Sequence, residues 1–158
     1  MAAPPVKHRL QSVELDEESL AAVSRDQEQE RQIAIFDLVE DNHFVPDGAE
    51  RGPYDLRIAL IEGRLALDIT GPEYQRRHLL SLSPLRGVMR DYRMVCDSYY
   101  EAIRNATPQK IEALDMGRRG LHNEGSSLLK RRLEGKVDLD EDTARRLFTL
   151  ICALQWRS

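Results

Sequence analysis

The sequence predicts an α+β domain in which a three- to four-stranded, mostly antiparallel sheet packs against a C-terminal helical half. Two observations carry that expectation. Residues 54–70 alternate apolar and polar side chains about a central Glu62-Gly63, the period-2 signature of paired strands. From Ser83 onward, apolar residues instead recur every three or four positions, and a proline follows both Ser83 and Thr107, where helices commonly start. A length of 158 residues fits one domain, residues 1–158. A chain of that size buries about two-thirds of its unfolded surface, so it needs no metal or disulfide to fold.

The elements follow in order. Residues 1–8, rich in Pro and Ala, are expected to be loose. Residues 9–82 form the sheet-rich part with one helix. Leu10, Val13 and Leu15 suggest a short first strand. Ser24 reads as a helix N-cap, with Gln27 completing a capping box and acidic residues filling the next turns. Ile33, Phe36 and Val39, with Ala34 and Leu38 beside them, are expected to supply its buried face, and the helix to end near Asn42. Residues 43–53, with two prolines and two glycines, read as a loop.

A two-residue turn at Glu62-Gly63 fixes the register of the hairpin. It sets Leu60 against Leu65, Ile58 against Leu67 and Leu56 against Ile69, all on one face. The other face then pairs Arg57 with Asp68 and Ala59 with Ala66. A one-residue slip would scramble both faces. Gly71-Pro72 makes the next turn, and Tyr74 to Leu82 the third strand of the meander.

Residues 83–158 are the helical half. Ser83-Pro84 reads as a cap and first turn, followed by Leu85, Val88, Tyr92, Val95, Tyr99 and Ile103 at helical spacing. Thr107-Pro108 repeats the signal, and that helix should run to Glu134 with Gly135 as its stop. Asp140 is placed to cap the last helix. Its Leu147, Phe148, Leu150, Ile151 and Leu154 are apolar on nearly every side, as a helix buried against several neighbours would be.

Composition narrows the function classes. The net charge of −4 argues against a surface that is wholly a nucleic-acid footprint. The charge is uneven, with 12 acidic and 4 basic residues in positions 1–50 (−8) against 15 acidic and 19 basic in 51–158 (+4). The basic residues are 19 Arg and 4 Lys, and Arg presents the planar fork that suits carboxylates and phosphates. Cys96 and Cys152 stand in no metal or redox spacing and fall on apolar helical faces. The amino terminus has no apolar core of signal-peptide length, and the longest apolar stretch, Leu147 to Trp156, is too short to span a bilayer. A cytoplasmic protein with no membrane association, no cofactor and no metal is the expectation.

The segment densest in chemistry is Met116 to Gly125, MGRRGLHNEG. With DTARRLFTL from Asp142 to Leu150 and DYRMVCDSYYEAIRN from Asp91 to Asn105, it resembles uncharacterised protein family (UPF) 0262, small bacterial proteins of unassigned function. The resemblance extends over most of the chain and implies no catalytic residue.

Read on its own, the segment raises one question. On a single helix, Leu114, Leu121 and Leu128 form a seam, with Ile111, Arg118 and Gly125 in the adjoining row. Glycine costs about 1 kcal/mol relative to alanine inside a helix, so Gly117, Gly120 and Gly125 call for a break in the helix or a close approach by another group. Asp115, Arg118 or Arg119, and His122 lie within reach of one another. One reading makes Arg118, Arg119, His122, Asn123 and Glu124 the lining of a polar pocket for an anionic ligand or a protein partner's acidic tail. The other has Arg118 and His122 brace the helical half against the sheet, as buried polar groups usually do.

Catalytic readings rank lower. His122 and Glu124 lack the second His of a zinc helix, and His8, His43 and His78 are scattered. Ser126, His122 and Asp115 fit one helical face, yet a nucleophile and its base normally converge from separate elements. The sequence therefore favours a non-catalytic interaction or regulatory module acting through an Arg-rich helical surface. The alternatives are a small-molecule-binding protein or enzyme centred on Arg118, His122 and Glu124, and an RNA-associated protein using residues 74–133, which hold 12 basic and 6 acidic side chains. RNA binding would fall steeply with salt, whereas an enzyme needs His122 open to a pocket and bonded to another element.

Overall fold

A computed structural model describes residues 7–155. Positions 1–6 of the expected loose start, and Trp156 of the last apolar stretch, lie outside the described residues. Strand β1, Leu10–Leu15, runs parallel to β3, Tyr54–Ile61; β4, Arg64–Gly71, and β5, Tyr74–Ser81, complete a mixed sheet of order β1-β3-β4-β5. All five cross-strand pairs read from the alternation are present. The turn that fixes them has positive φ at both central residues, +52° at Glu62 and +77° at Gly63, as a primed two-residue turn requires. The chain is α+β, and its sheet is antiparallel apart from the β1–β3 pair.

The stretch expected to be a loop contains a strand. Phe44–Pro46, β2, pairs antiparallel with Val137–Leu139, β6. Three residues are too few for alternation to register, and the partner lies far away in sequence. Thr143 Oγ1, fully buried, accepts the His43 N–H at 2.8 Å and ties this small sheet to the last helix.

Helix α1 spans Arg25–Glu40. Its capping box forms as expected, with Ser24 Oγ accepting the Gln27 N–H at 3.2 Å and Gln27 Oε1 accepting the Ser24 N–H at 3.3 Å. Its buried face is the expected one only at Ala34 and Leu38. Ile33 is 53% and Phe36 65% exposed, while Arg31, Ala34 and Leu38 point inward. The inner row includes a charged residue, which apolar periodicity passes over. The Arg31 guanidinium donates to the carbonyls of Ala21, Ala153 and Leu154, so it faces the negative end of the last helix.

The helical half begins with a single 3-10 turn, Ser83–Leu85, which leads straight into α2, Arg86–Asn105. Neither start carries a side-chain cap, so Ser83 does not play the expected capping role; the chain enters the helix from an already helical Leu82. Helix α3, Pro108–Arg132, is capped by Thr107 Oγ1 on the Lys110 N–H at 3.3 Å and is unbroken through all three glycines. It stops before Gly135, whose φ is +80°. In α4, Glu141–Gln155, Asp140 accepts the Thr143 N–H at 2.8 Å, and Leu147, Phe148, Leu150, Ile151, Cys152 and Leu154 are all buried.

Helix α4 packs between α1 and α3, and α3 packs on α2. One hydrophobic cluster joins Leu56, Ile58, Leu65, Leu67 and Ile69 of the sheet to Leu129, Leu147, Phe148 and Ile151 of the helices. Both cysteines are free and buried, and burial pushes the Cys152 thiol well above its ordinary range. Among the described residues no helix is long and apolar enough to cross a membrane.

Candidate functional site

Because α3 is one continuous helix, the five singled-out side chains fan around it rather than converge. Arg118 turns toward α2. Its Nη2 donates to Asp115 Oδ1 at 2.6 Å, its guanidinium lies 5.1 Å from the Tyr99 ring centroid, and its Nε is buried without a hydrogen-bond partner among the described residues. Arg119 is exposed and shares the same carboxylate, 3.0 Å from Asp115 Oδ2. Asn123 turns toward α4 and accepts from the Arg145 guanidinium. Glu124 is exposed.

His122 is the most constrained of the five. Its Nε2 lies 2.8 Å from Thr149 Oγ1 on α4, and its ring meets those of Tyr92 and Phe148 edge-on, at centroid distances of 5.3 Å each. Thr149 Oγ1 itself donates to the Arg145 carbonyl at 3.1 Å, so its lone pairs are left to accept an Nε2–H from His122. That places a proton on Nε2. Burial first, then the charges of Arg145 and Arg118, lowers the His122 pKa below 6.5, in accord with a neutral ring.

This geometry does not assemble a Ser126–His122–Asp115 relay. Ser126 Oγ donates to the His122 carbonyl at 2.7 Å and stands 3.4 Å from Nδ1, a long contact for proton transfer. Asp115 is held by Arg118 and Arg119 instead. Among the described residues no cluster of three or more His, Cys, Asp or Glu side chains could hold a metal ion.

One of the three glycines has a packing reason. A Cβ at Gly125 would clash with the Phe148 ring at its Cζ, whereas one at Gly120 would meet nothing and one at Gly117 only Val95, at 3.6 Å. Gly125 therefore sets how closely α3 and α4 approach, and that approach brings His122 to Thr149 and Asn123 to Arg145.

Two solvent-facing grooves border the segment. The first, about 660 Å³, runs between α3 and α4 beside Asn123, with Ser126, Ser127, Lys130, Arg131 and Arg145 against Glu134 and Glu141. The second, about 360 Å³, separates α1 from α2 and has Arg118 and Thr149 in its lining. The sequence alone singles out neither Arg145 nor Thr149. Spacing within one helix does not say which face of α4 meets α3, so those residues carried no signal.

Fold and surface together define a small α+β domain whose helical layer presents an arginine-bearing groove. The chain belongs to the uncharacterised protein family UPF0262, whose family model matches residues 7–157. It is 77% identical to a UPF0262 protein of Phenylobacterium zucineum over 151 residues, covering 96% of this chain and 95% of that one. Identity is 72% over 150 residues with a UPF0262 protein of Caulobacter vibrioides, covering 95% and 94% of the two chains. It is 57% over 160 residues with one of Brucella canis, covering 99% of each. No solved structure matches.

Proposed function

We propose that the protein is a non-catalytic cytoplasmic interaction module whose helical half receives an acidic segment of a protein partner. The observation that carries this reading is the α3–α4 groove. It sets Lys130, Arg131 and Arg145 against two carboxylates and adds the exposed hydroxyl of Ser127. Arginine forks and hydroxyls in an open trough suit carboxylates arriving on an extended chain. The described lining holds no aromatic ring on which a base could stack, which favours an acidic peptide over single-stranded RNA. Asn123 fixes the Arg145 guanidinium at the groove's edge, and Arg119 and Glu124 lie on the solvent side of the same helix.

The test is fluorescence anisotropy with a labelled octaglutamate peptide and an octaglutamine control. Binding of the acidic peptide alone is expected at low salt, weakened at least ~10-fold by Lys130→Ala with Arg131→Ala and reduced as salt rises. No binding at ~50 mM salt, or binding that the double variant leaves unchanged, overturns the reading. Tighter binding of a uridine oligonucleotide would move it to RNA.

A further inference from the structure

The helices flanking the second groove carry stripes of opposite net charge, although on α2 Asp97 stands within the basic stripe, 4.0 Å from Arg93. On α1, Asp26, Glu30, Ile33, Asp37 and Glu40 recur at spacings of four and three and so form one stripe. On α2, Arg90, Arg93, Asp97, Tyr100 and Arg104 recur at three and four and form another. The middle of each stripe, Glu30, Ile33 and Asp37 on one wall and Arg93, Asp97 and Tyr100 on the other, lines the groove. The first stripe holds four carboxylates and no cation; the second holds three guanidiniums and one carboxylate. Large apolar side chains stand exposed within them: Ile33 at 53% and Tyr100 at 64%, with Phe36 at 65% beside Ile33.

We propose that this face is a homodimer interface in which α1 of each copy packs against α2 of the other about a two-fold axis. A two-fold interface must be self-complementary, because a residue meeting a second residue implies the reverse contact as well. A patch with acid on one helix and base on its neighbour meets that condition, since both symmetric contacts then join opposite charges. A partner of uniform sign would be attracted by one stripe and repelled by the other. The apolar residues supply burial and the charges set register. This surface shares no residue with the α3–α4 groove, so the two proposals stand or fall separately.

The size of the face bounds the affinity. With α1 spanning 16 residues, two adjacent helices present a face of about 24 by 20 Å, or on the order of 1,000 Å² summed over both copies. That is the lower end of specific interfaces, so dissociation in the micromolar range is expected.

Sedimentation equilibrium from about 1 to 200 µM tests the proposal, with circular dichroism confirming that each variant is folded. The native chain should dimerise across that range. Glu30→Arg with Asp37→Arg, and separately Arg90→Glu with Arg104→Glu, should each weaken the dimer at least ~10-fold. Mixing the two variants should restore a dimer, because the unchanged basic stripe of α2 in the first then meets the unchanged acidic stripe of α1 in the second, and the introduced arginines of the one face the introduced glutamates of the other. A native chain that stays monomeric, a dimer unaffected by both variants, or a failure of mixing to rescue overturns it.

Discussion

His122 Nε2 lies 2.8 Å from Thr149 Oγ1, a bond that crosses from α3 to α4 and is made by a ring that burial favours in its neutral form. Burial, followed by Arg145 and Arg118, lowers this histidine's pKa from 6.5, and burial, Arg76 and Lys136 lower that of His78 in the same direction. The unfolded chain then takes up protons that the folded one refuses. Both histidines contribute stability that is fully present above about pH 6.5 and lost as pH falls below it. The melting temperature should drop between pH 7 and pH 5, and His122→Gln should flatten that slope. A His122 titration midpoint at or above 6.5 by NMR would contradict the assignment.

The same contacts distinguish bracing from binding. Replacing Arg118 and His122 together by alanine removes the Asp115 bond, the stacking on Tyr99 and the Thr149 bond. If the pair braces the helices, the double variant loses about 3 kcal/mol and melts about 10 °C lower. Differential scanning calorimetry reads the outcome, and an unchanged melt would remove the bracing role.

Gly125 and Gly120 separate two causes of helical glycine. Alanine at 125 must displace the buried Phe148 ring, so Gly125→Ala should destabilise by about 1–3 kcal/mol despite alanine's better helix propensity. Alanine at 120 meets open space and should stabilise by up to about 1 kcal/mol. Urea unfolding of the two variants should shift in opposite directions.

Thr143 holds the β2–β6 ribbon to the start of α4. Its hydroxyl is fully buried and accepts the His43 N–H, so Thr143→Val keeps the shape but leaves that amide without a partner. A loss of about 1–3 kcal/mol is expected in denaturant unfolding. Thr143→Ser keeps the acceptor and should retain more of the stability than valine does.

What the sequence made legible follows from the range of the interactions. The hairpin register was readable because alternation, turn and cross-strand charge pair all lie within residues 54–70. The capping box at Ser24 and the N-cap at Thr107 are equally local. The β2–β6 pair was not readable, because Phe44 and Leu139 are apart in sequence and too few residues surround each. The buried face of α1 was legible at Ala34 and Leu38 but not at its edge, because Arg31, not Ile33 or Phe36, reaches the carbonyl end of α4. At the site, the residue types were visible in GRRGLHNEG. Their directions were not, since those depend on how closely Gly125 lets α4 approach.

The last prediction returns to the hairpin. Glu62 adopts φ +52° at the first turn position, a left-handed conformation that a carboxylate side chain of its length does nothing to favour. Asparagine tolerates that conformation, and Asn-Gly is the preferred pair for a turn with two positive φ values. Glu62 is largely exposed, and the ion pair it would lose, at 3.7 Å to an Arg64 that is itself half exposed, contributes little. Glu62→Asn should therefore stabilise the chain by about 0.5–1 kcal/mol without altering the paired registers. Thermal melting should rise by a few degrees, and amide exchange in β3 and β4 should slow. A lower melting temperature would mean that the turn is held in place by the Glu62 side chain rather than by the strands it joins.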